Sequence, residues 1–311
     1  MAGTPDRFRQ SQTPAEGTAR KPKWLKVRLP QGEGYERIRG ILTRTRLNTV
    51  CQEARCPNMG ECWGTGTATV MLMGEICTRG CRFCHVKVGA PAALDLEEPE
   101  NLGRAARELA LKYIVVTSVD RDDLPDGGAG HFAAAVRALR RESPQTRIEV
   151  LIPDFNGARG DLDTVAQARP DVIGHNVETV ERLQEKVRDR RASWAQSLGV
   201  LEHLHLSKGI YTKSSLMVGL GETRDDLVHS FKALRRVGVD VLTLGQYLQP
   251  SPRHLPVERY YAPEEFEELR GAAMSEGFLY VAAGPLVRSS YRAAEFFLRG
   301  LMRGREPAVE G

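Results

Sequence analysis

No stretch of the 311-residue chain approaches the roughly 18 consecutive apolar positions of a membrane-spanning helix, and the opening MAGTPDRFRQSQTPAEG has no apolar signal core. The expectation is a cytoplasmic protein with no membrane partner, in which thiols stay reduced. Fixed repeats and a collagen-like period are also missing, although the chain holds 30 Gly and 17 Pro. With 41 % hydrophobic and 27 % charged residues, the composition is that of an ordinary globular protein, long enough to bury a large core without disulfide staples. A basic body is lacking as well. The net charge is +4, but residues 1–28 carry Arg7, Arg9, Arg20, Lys21, Lys23, Lys26 and Arg28 against Asp6 and Glu16, a local +5 that leaves −1 for the rest. A phosphate-tracking surface needs clustered positive charge, so nucleic acid is not expected as a partner. The basic head, rich in Pro, Thr, Gln and Gly, reads as a flexible tail over residues 1–30, with contact to an acidic partner as the alternative.

Cysteine is absent from the 227 residues after Cys84; all six lie within 34 positions, as Cys51, Cys56, Cys62 and then Cys77, Cys81, Cys84. Small core filler does not cluster in this way, so the spacing is that of ligands. The second triplet, CTRGCRFC, is C-x3-C-x2-C. Three thiolates on one short loop can wrap a metal centre and leave one position open. Zinc is a competitor, since it accepts thiolates and often uses C-x2-C pairs, but it wants a fourth ligand and His85 adjoins Cys84 too tightly to supply it. An iron-sulfur cube with one open iron fits better, because the ferredoxin run fills all four positions. The first triplet, CQEARCPNMGEC, is C-x4-C-x5-C and lies on a Gly/Pro-rich stretch, 51–66, that reads as a loop ordered by its metal.

From there the chain alternates. Strand-like segments at 69–75, 113–118, 147–152, 171–177, 214–219 and 239–245 are followed by helical ones at 99–111, 129–142, 161–168, 178–206, 223–237 and 263–276, after a modest helical signal at 32–50. The chemistry-bearing sequences CTRGC, SVDRDD, IPDF, NVE, GLGE and GQYLQP each follow a strand, the position of the functional rim in α/β barrels. Six units are too few for a full eightfold barrel, so a partial TIM-type (β/α)6 barrel over residues 67–276 is expected, with a doubly wound open sheet as the alternative. Residues 31–66 form an N-terminal extension and 277–311 a C-terminal one, including a short strand 277–284 and a helix-like YRAAEFFLRG, both laid across the barrel mouth.

CTRGCRFC resembles the C-x3-C-x-aromatic-C signature of radical S-adenosylmethionine (SAM) enzymes, and it directly follows the strand-like TATVMLMGEI. With the first triplet, and with PNMGECW, SVDRDDLPDGGAGHF, GHNVET, KSSLMVGLGE, TLGQYLQPSPRHLPVERY and GPLVRSSYRA in order, the chain resembles the lipoyl synthase family over nearly everything after residue 30.

The resemblance implies two 4Fe-4S clusters and S-adenosylmethionine as cofactors. Cys77, Cys81 and Cys84 would ligate the cluster whose open iron takes S-adenosylmethionine; Cys51, Cys56 and Cys62 would ligate an auxiliary cluster that donates sulfur. A serine of RSSY would be the fourth auxiliary ligand, Ser290 in preference to Ser289, with Arg288 and Arg292 flanking it. The implied reaction inserts sulfur at carbons 6 and 8 of an octanoyl chain amide-linked to lysine on a lipoyl carrier domain, consuming two molecules of S-adenosylmethionine. Implied partners are octanoylated carriers (2-oxoacid dehydrogenase acyltransferase subunits and the glycine cleavage carrier protein), a ferredoxin- or flavodoxin-type electron donor, and a cluster-repair protein.

Six further residues are candidates for cofactor contact: Phe83, Ser118, Asp120, Asn176, Glu178 and Glu222. Phe83 packs near adenine or simply covers the cluster. An acid of SVDRDD accepts from the cofactor's ammonium or ribose, with capping as the rival, since DLPDGGAGHF supplies Asp and Gly just before helix 129–142; Glu178 faces the cavity or starts its helix. Two other classes fit the cysteines in part. Another radical enzyme would not require the first triplet with RSSY, and a non-catalytic metal-binding scaffold would not need polar groups on successive strand-end loops.

Overall fold

The computed structural model describes residues 21–25, 33–45, 47–53, 56, 58–64 and 67–290. Its strands are β1 (Asn48–Thr49), β2 (Thr67–Leu72), β3 (Ile76–Cys77), β4 (Lys87–Val88), β5 (Tyr113–Ser118), β6 (Arg147–Leu151), β7 (Val172–Gly174), β8 (Tyr211–Val218), β9 (Val241–Gln246) and β10 (Tyr280–Gly284). The helices are α1 (Glu33–Arg44), α2 (Val50–Glu53), α3 (Met59–Gly64), α4 (Glu98–Leu109), α5 (Ala129–Glu142), α6 (Arg159–Gln167), α7 (Gln184–Val187), α8 (Trp194–His205), α9 (Arg224–Arg236) and α10 (Pro263–Ser275).

The main sheet runs β1-β2-β5-β6-β7-β8-β9-β10, parallel throughout except for β1, which lies antiparallel on β2. β2 and β5 are buried on both faces, so their sequences, TATVML and YIVVTS, read as largely apolar runs and not as alternation. One apolar layer sets Val70, Leu72, Ile114, Val116, Ile148 and Val150 against Leu102, Phe132, Leu139 and Leu162 of α4, α5 and α6. A second sets Leu216, Val218, Leu242 and Leu244 against Leu227, Phe231 and Phe266 of α9 and α10. Each fully buried side chain of this size contributes about 1.5–3 kcal/mol. The register aligns the carboxyl ends, with Leu72 beside Ser118, Thr117 beside Leu151, Leu151 beside Gly174 and Val218 beside Gln246. The loops leaving those ends therefore share one rim. Near the opposite, amino ends, Tyr113 Oη donates to Glu149 Oε2 at 2.7 Å, and Lys213 Nζ binds both Glu149 oxygens at 2.7 and 3.0 Å.

The six expected β/α units are present, and the mostly parallel sheet is a partial barrel. The strand within 277–284 does not lie across the mouth: it is β10, a seventh parallel strand paired with β9. What covers the rim is the turn after it, where a Cβ on Gly245 would come within 2.1 Å of the Val287 carbonyl. The helix expected over 178–206 is interrupted. Glu178 has φ 66° and bridges to Leu216 of β8, and the chain between α7 and α8 runs to the rim instead. Residues 51–66, read as loop, include α2 and α3. In the expected tail, Lys23–Leu25 forms a 3-10 turn with Leu25 buried; the rest of it lies outside the described residues, as do YRAAEFFLRG and Arg292. Among the described residues no helix is long and apolar enough to cross a membrane.

Candidate functional site

β2 ends at a pair of left-handed residues, Met73 (φ 67°) and Gly74 (φ 89°), which turn the chain into the second cysteine loop. The buried carboxylate of Glu98 fixes this exit by accepting from Met73 N at 2.9 Å and pairing with His131 Nε2 at 2.7 Å. Beyond it, backbone N–H groups are aimed at the sulfurs. Arg79 N and Asp120 N donate to Cys77 Sγ at 3.4 and 3.3 Å, and Asp189 N donates to Cys81 Sγ at 3.3 Å. Three neighbouring loops clamp this one. From the β5 end, the Asp120 carbonyl accepts from Thr78 N and Oγ1, both at 3.0 Å. From the α7–α8 connection, Asp189 Oδ2 accepts from Gly80 N at 2.8 Å, and Arg191 donates to Thr78 O at 2.6 Å. From the loop after β9, His254 Nε2 lies 2.8 Å from Cys84 O and Nδ1 lies 2.8 Å from Ser251 Oγ. A carbonyl only accepts, so Nε2 carries the proton and Nδ1 receives the serine's.

Burial is the main force on these thiols. It pushes Cys77 and Cys81 up to about 12 and Cys84 to about 11, with Asp120 adding to each. None of the six cysteines is in a disulfide. Any metal these thiols took up would have to displace protons, which would couple its loading to pH.

The candidate contacts divide. Asp120 and Glu178 converge on the loop. Asp120 Oδ2 accepts from Cys77 Sγ at 3.5 Å, and Glu178 lies close enough to Cys84 and Asp120 for their charges to interact. Burial raises both carboxyls above the usual range. Asn176 Nδ2 donates to Glu178 Oε1 at 3.1 Å, so the two act as a pair; Glu178 does not start a helix. The buried Ser118 hydroxyl has no hydrogen-bond partner among the described residues. Phe83 is half-buried and packs on the second apolar layer. Glu222 is occupied elsewhere: its oxygens accept from Gly219 N at 2.6 Å and Leu220 N at 2.9 Å. It shapes a turn in which Gly219, at φ 102°, has no room for a Cβ, with Gln246 Nε2 only 2.2 Å away. The N-cap position of α5 is Gly128, and Asp126 of DLPDGGAGHF accepts from Gly128 N and Gly130 N at 2.9 Å, so Asp and Gly of that run build the turn before the helix.

The first triplet is built differently. Cys51 lies on α2 and Cys62 on α3, with Cys56 between them, near enough for mutual electrostatic influence. Burial first, then these neighbours, pushes Cys51 up to about 12. The C-terminal turn meets the triplet here. Asn58 Nδ2 donates to Leu286 O at 2.6 Å, and Arg288 lies close enough to Cys56 for their charges to interact. Ser289 and Ser290 follow in that turn, both half-buried.

Two sets of three unbridged thiols, buried or half-buried, fit two clusters, and the N–H groups aimed at Cys77 and Cys81 suit anionic sulfur. Among the described residues no three Cys, His, Asp or Glu side chains close round a single ion; a cube takes each thiolate on a different iron. The sequence reading missed Arg79, Asp154, Asp189 and His254. Arg79 offered a signal, a charged residue between two ligands. Asp189 offered none, because it sits in what reads as a continuous helix.

The model for the radical SAM superfamily matches residues 71–234, and that for the N-terminal domain of lipoyl synthase matches residues 5–56. The lipoyl synthase of Myxococcus xanthus is 68 % identical over 286 residues, covering 92 % of this chain and 96 % of that protein. The lipoyl synthase of an Anaeromyxobacter species is 58 % identical over 292 residues, with 93 % and 99 % coverage. Among solved structures, methylornithine synthase superposes with a TM-score of 0.52 at 12 % identity, over 88 % of this chain and 94 % of that one, a likeness of fold alone. Matching these relatives almost end to end, the chain belongs to the lipoyl synthase family, sulfur-inserting enzymes of the radical SAM superfamily.

Proposed function

We propose that the protein inserts two sulfur atoms, at carbons 6 and 8, into an octanoyl chain carried on a lysine of a lipoyl carrier domain. The observation that carries this reading is the meeting of the first triplet with the RSSY turn, through Asn58 and Leu286 and through Cys56 and Arg288, at the rim that bears the second triplet. An enzyme that only cleaves S-adenosylmethionine has no use for the second assembly.

Cys77, Cys81 and Cys84 would hold one 4Fe-4S cluster, and Cys51, Cys56 and Cys62 with Ser290 the other. When bound, the first supplies one-electron cleavage of S-adenosylmethionine for hydrogen abstraction, and the second supplies sulfur. Each C–H bond needs its own abstraction, so two S-adenosylmethionine molecules are used per lipoyl group. The residues of the chain orient and exclude. Arg79, Asp120 and Asp189 hold N–H donors on the sulfurs. The Asn176–Glu178 pair and the unpartnered Ser118 hydroxyl meet polar groups of the cofactor, and Phe83 closes its apolar side. Glu222 serves by holding the turn after β8. The cysteine thiols release their protons on ligation.

In this reading residues 31–66 and the turn after β10 serve the sulfur donor, and the barrel serves the radical step. The carriers are acyltransferase subunits of 2-oxoacid dehydrogenases and the glycine cleavage carrier protein. A ferredoxin or flavodoxin supplies electrons in the cytoplasm, and a repair protein rebuilds the spent cluster. The test is an oxygen-free reaction of reconstituted enzyme, octanoylated carrier, S-adenosylmethionine and reductant, read by carrier mass. A gain of two sulfurs with two cofactors cleaved is expected; cleavage without sulfur gain refutes the reading.

A further inference from the structure

Arg79 lies between Cys77 and Cys81, and its side chain is 4 % exposed. A guanidinium buried to that degree is costly unless every donor is met. Here acceptors at two other strand ends meet each of Nε, Nη1 and Nη2. Nε donates to Asp122 at 2.9 and 3.2 Å, and Nη2 to Asp122 Oδ1 at 2.7 Å, on the loop after β5. Nη1 and Nη2 form a two-pronged pair with Asp154 at 2.8 Å each, beyond β6, and Nη2 also reaches Asn156 Oδ1 at 3.0 Å. Asp120 Oδ1 stands 3.5 Å from Nε. The same residue's backbone N–H points at Cys77 Sγ. One side chain thus fixes a peptide that faces a ligand sulfur, and its charge offsets three carboxylates gathered beside the loop.

We propose that Arg79 is a positioning residue that sets the reduction potential of the cluster held by Cys77, Cys81 and Cys84. This rests on the reading that those three thiolates hold a 4Fe-4S cluster. Hydrogen bonds to the sulfurs and nearby net charge tune such potentials. Reduction adds negative charge, so an N–H donor on sulfur and a neighbouring cation both favour the reduced form. Removing Arg79 loosens the donor and uncovers Asp122 and Asp154; both changes lower the potential.

The experiment is an EPR-monitored redox titration of the full-length chain carrying Cys51→Ala, Cys56→Ala and Cys62→Ala, so that one cluster is read. Arg79→Gln is expected to lower the midpoint by about the 59 mV that corresponds to a tenfold change in one-electron uptake. Arg79→Lys, which keeps the charge but cannot make the fork, falls between the two. Asp122→Asn removes a negative charge and shifts the midpoint upward. Opposite signs at Arg79 and Asp122 are the signature, because loosening of the loop alone would move both variants the same way. If Arg79→Gln fails to fold, Arg79→Lys against Asp122→Asn makes the same comparison. Unchanged midpoints, or shifts of one sign, overturn the inference while the cluster reading stands. A parent chain that assembles no four-iron cluster overturns both.

Discussion

The two cysteine triplets hold the same kind of side chain in opposite ways. The second is one short loop at a strand end, and loops from β5, from the α7–α8 connection and from β9 each donate to it or accept from it. The first is spread over two short helices; Cys51 leans on the Thr69 backbone of β2, while Asn58 and Cys56 tie the set to the far end of the sequence, at Leu286 and Arg288. A ligand set locked by its surroundings suits a centre that must survive every turnover. A set closed by a distant turn suits a centre that has to open and give up sulfur. The division of labour proposed for the triplets follows from this contrast.

The largest effect expected is the split between their variants. Cys81→Ala should abolish both S-adenosylmethionine cleavage and lipoyl formation, whereas Cys56→Ala should keep measurable cleavage and form no lipoyl group. Cofactor cleavage and product mass, measured side by side without oxygen, decide it; lipoyl product from either variant would erase the distinction. Next comes the closing turn. Ser290→Ala should retain cleavage and lose nearly all product, with Ser289→Ala near native. Collapse in Ser289→Ala alone would transfer the role to that hydroxyl, and near-native yield from both would remove serine from the ligand set.

A graded loss is expected at the tie between the chain ends. Asn58→Ala leaves the Leu286 carbonyl without its donor, at a cost of about 1–3 kcal/mol. Iron retained by the first triplet should fall, while cleavage at the second continues; equal loss from both would show that the ends are not specific to one centre.

The barrel body should respond to pH instead. Arg188 donates to Ser197 Oγ at 2.8 Å, that hydroxyl serves His175 Nε2 at 2.9 Å, and Nδ1 donates to Ile152 O at 3.1 Å, so His175 is held neutral. Burial first, then the charge of Arg188, lowers its pKa from 6.5 to about 4. Between those values the unfolded chain binds the extra proton, so stability present above pH 6.5 is lost as pH falls toward 4, on the order of 3 kcal/mol. Denaturant titrations of the native chain and His175→Gln should converge over that window; parallel curves would contradict the assignment. The smallest effect is expected at the start of α9. Thr223→Ala removes the reciprocal cap with Asp226 and should cost about 0.5–2 kcal/mol, with cleavage and product unchanged.

Much of this contrast was legible in the chain itself. Strand 113–118 and helix 129–142 match the observed elements, because apolar runs and a Gly-containing turn mark them clearly. The clustering of cysteines marked out both triplets. What sequence patterns could not reveal depends on long-range contact. Regular apolar spacing over 178–206 reads as one helix, but Glu178 is drawn into the sheet and Asp189 into the cysteine loop. Glu222 looks like a cavity acid and holds a turn, since two backbone N–H groups, which carry no sequence signal, and the Tyr261 side chain bind it. Strand β10 lies beyond the sixth unit and was read as part of an extension, although it pairs over its whole length with β9.

The central claim, that the first triplet's centre is consumed as the sulfur source, is tested most directly by reconstituting the enzyme with isotope-labelled sulfide. It is then given excess octanoylated carrier without external sulfide or a repair system. The account predicts label at both sulfur positions of the product and no more than about one lipoyl group per chain; several turnovers yielding unlabelled product would contradict it.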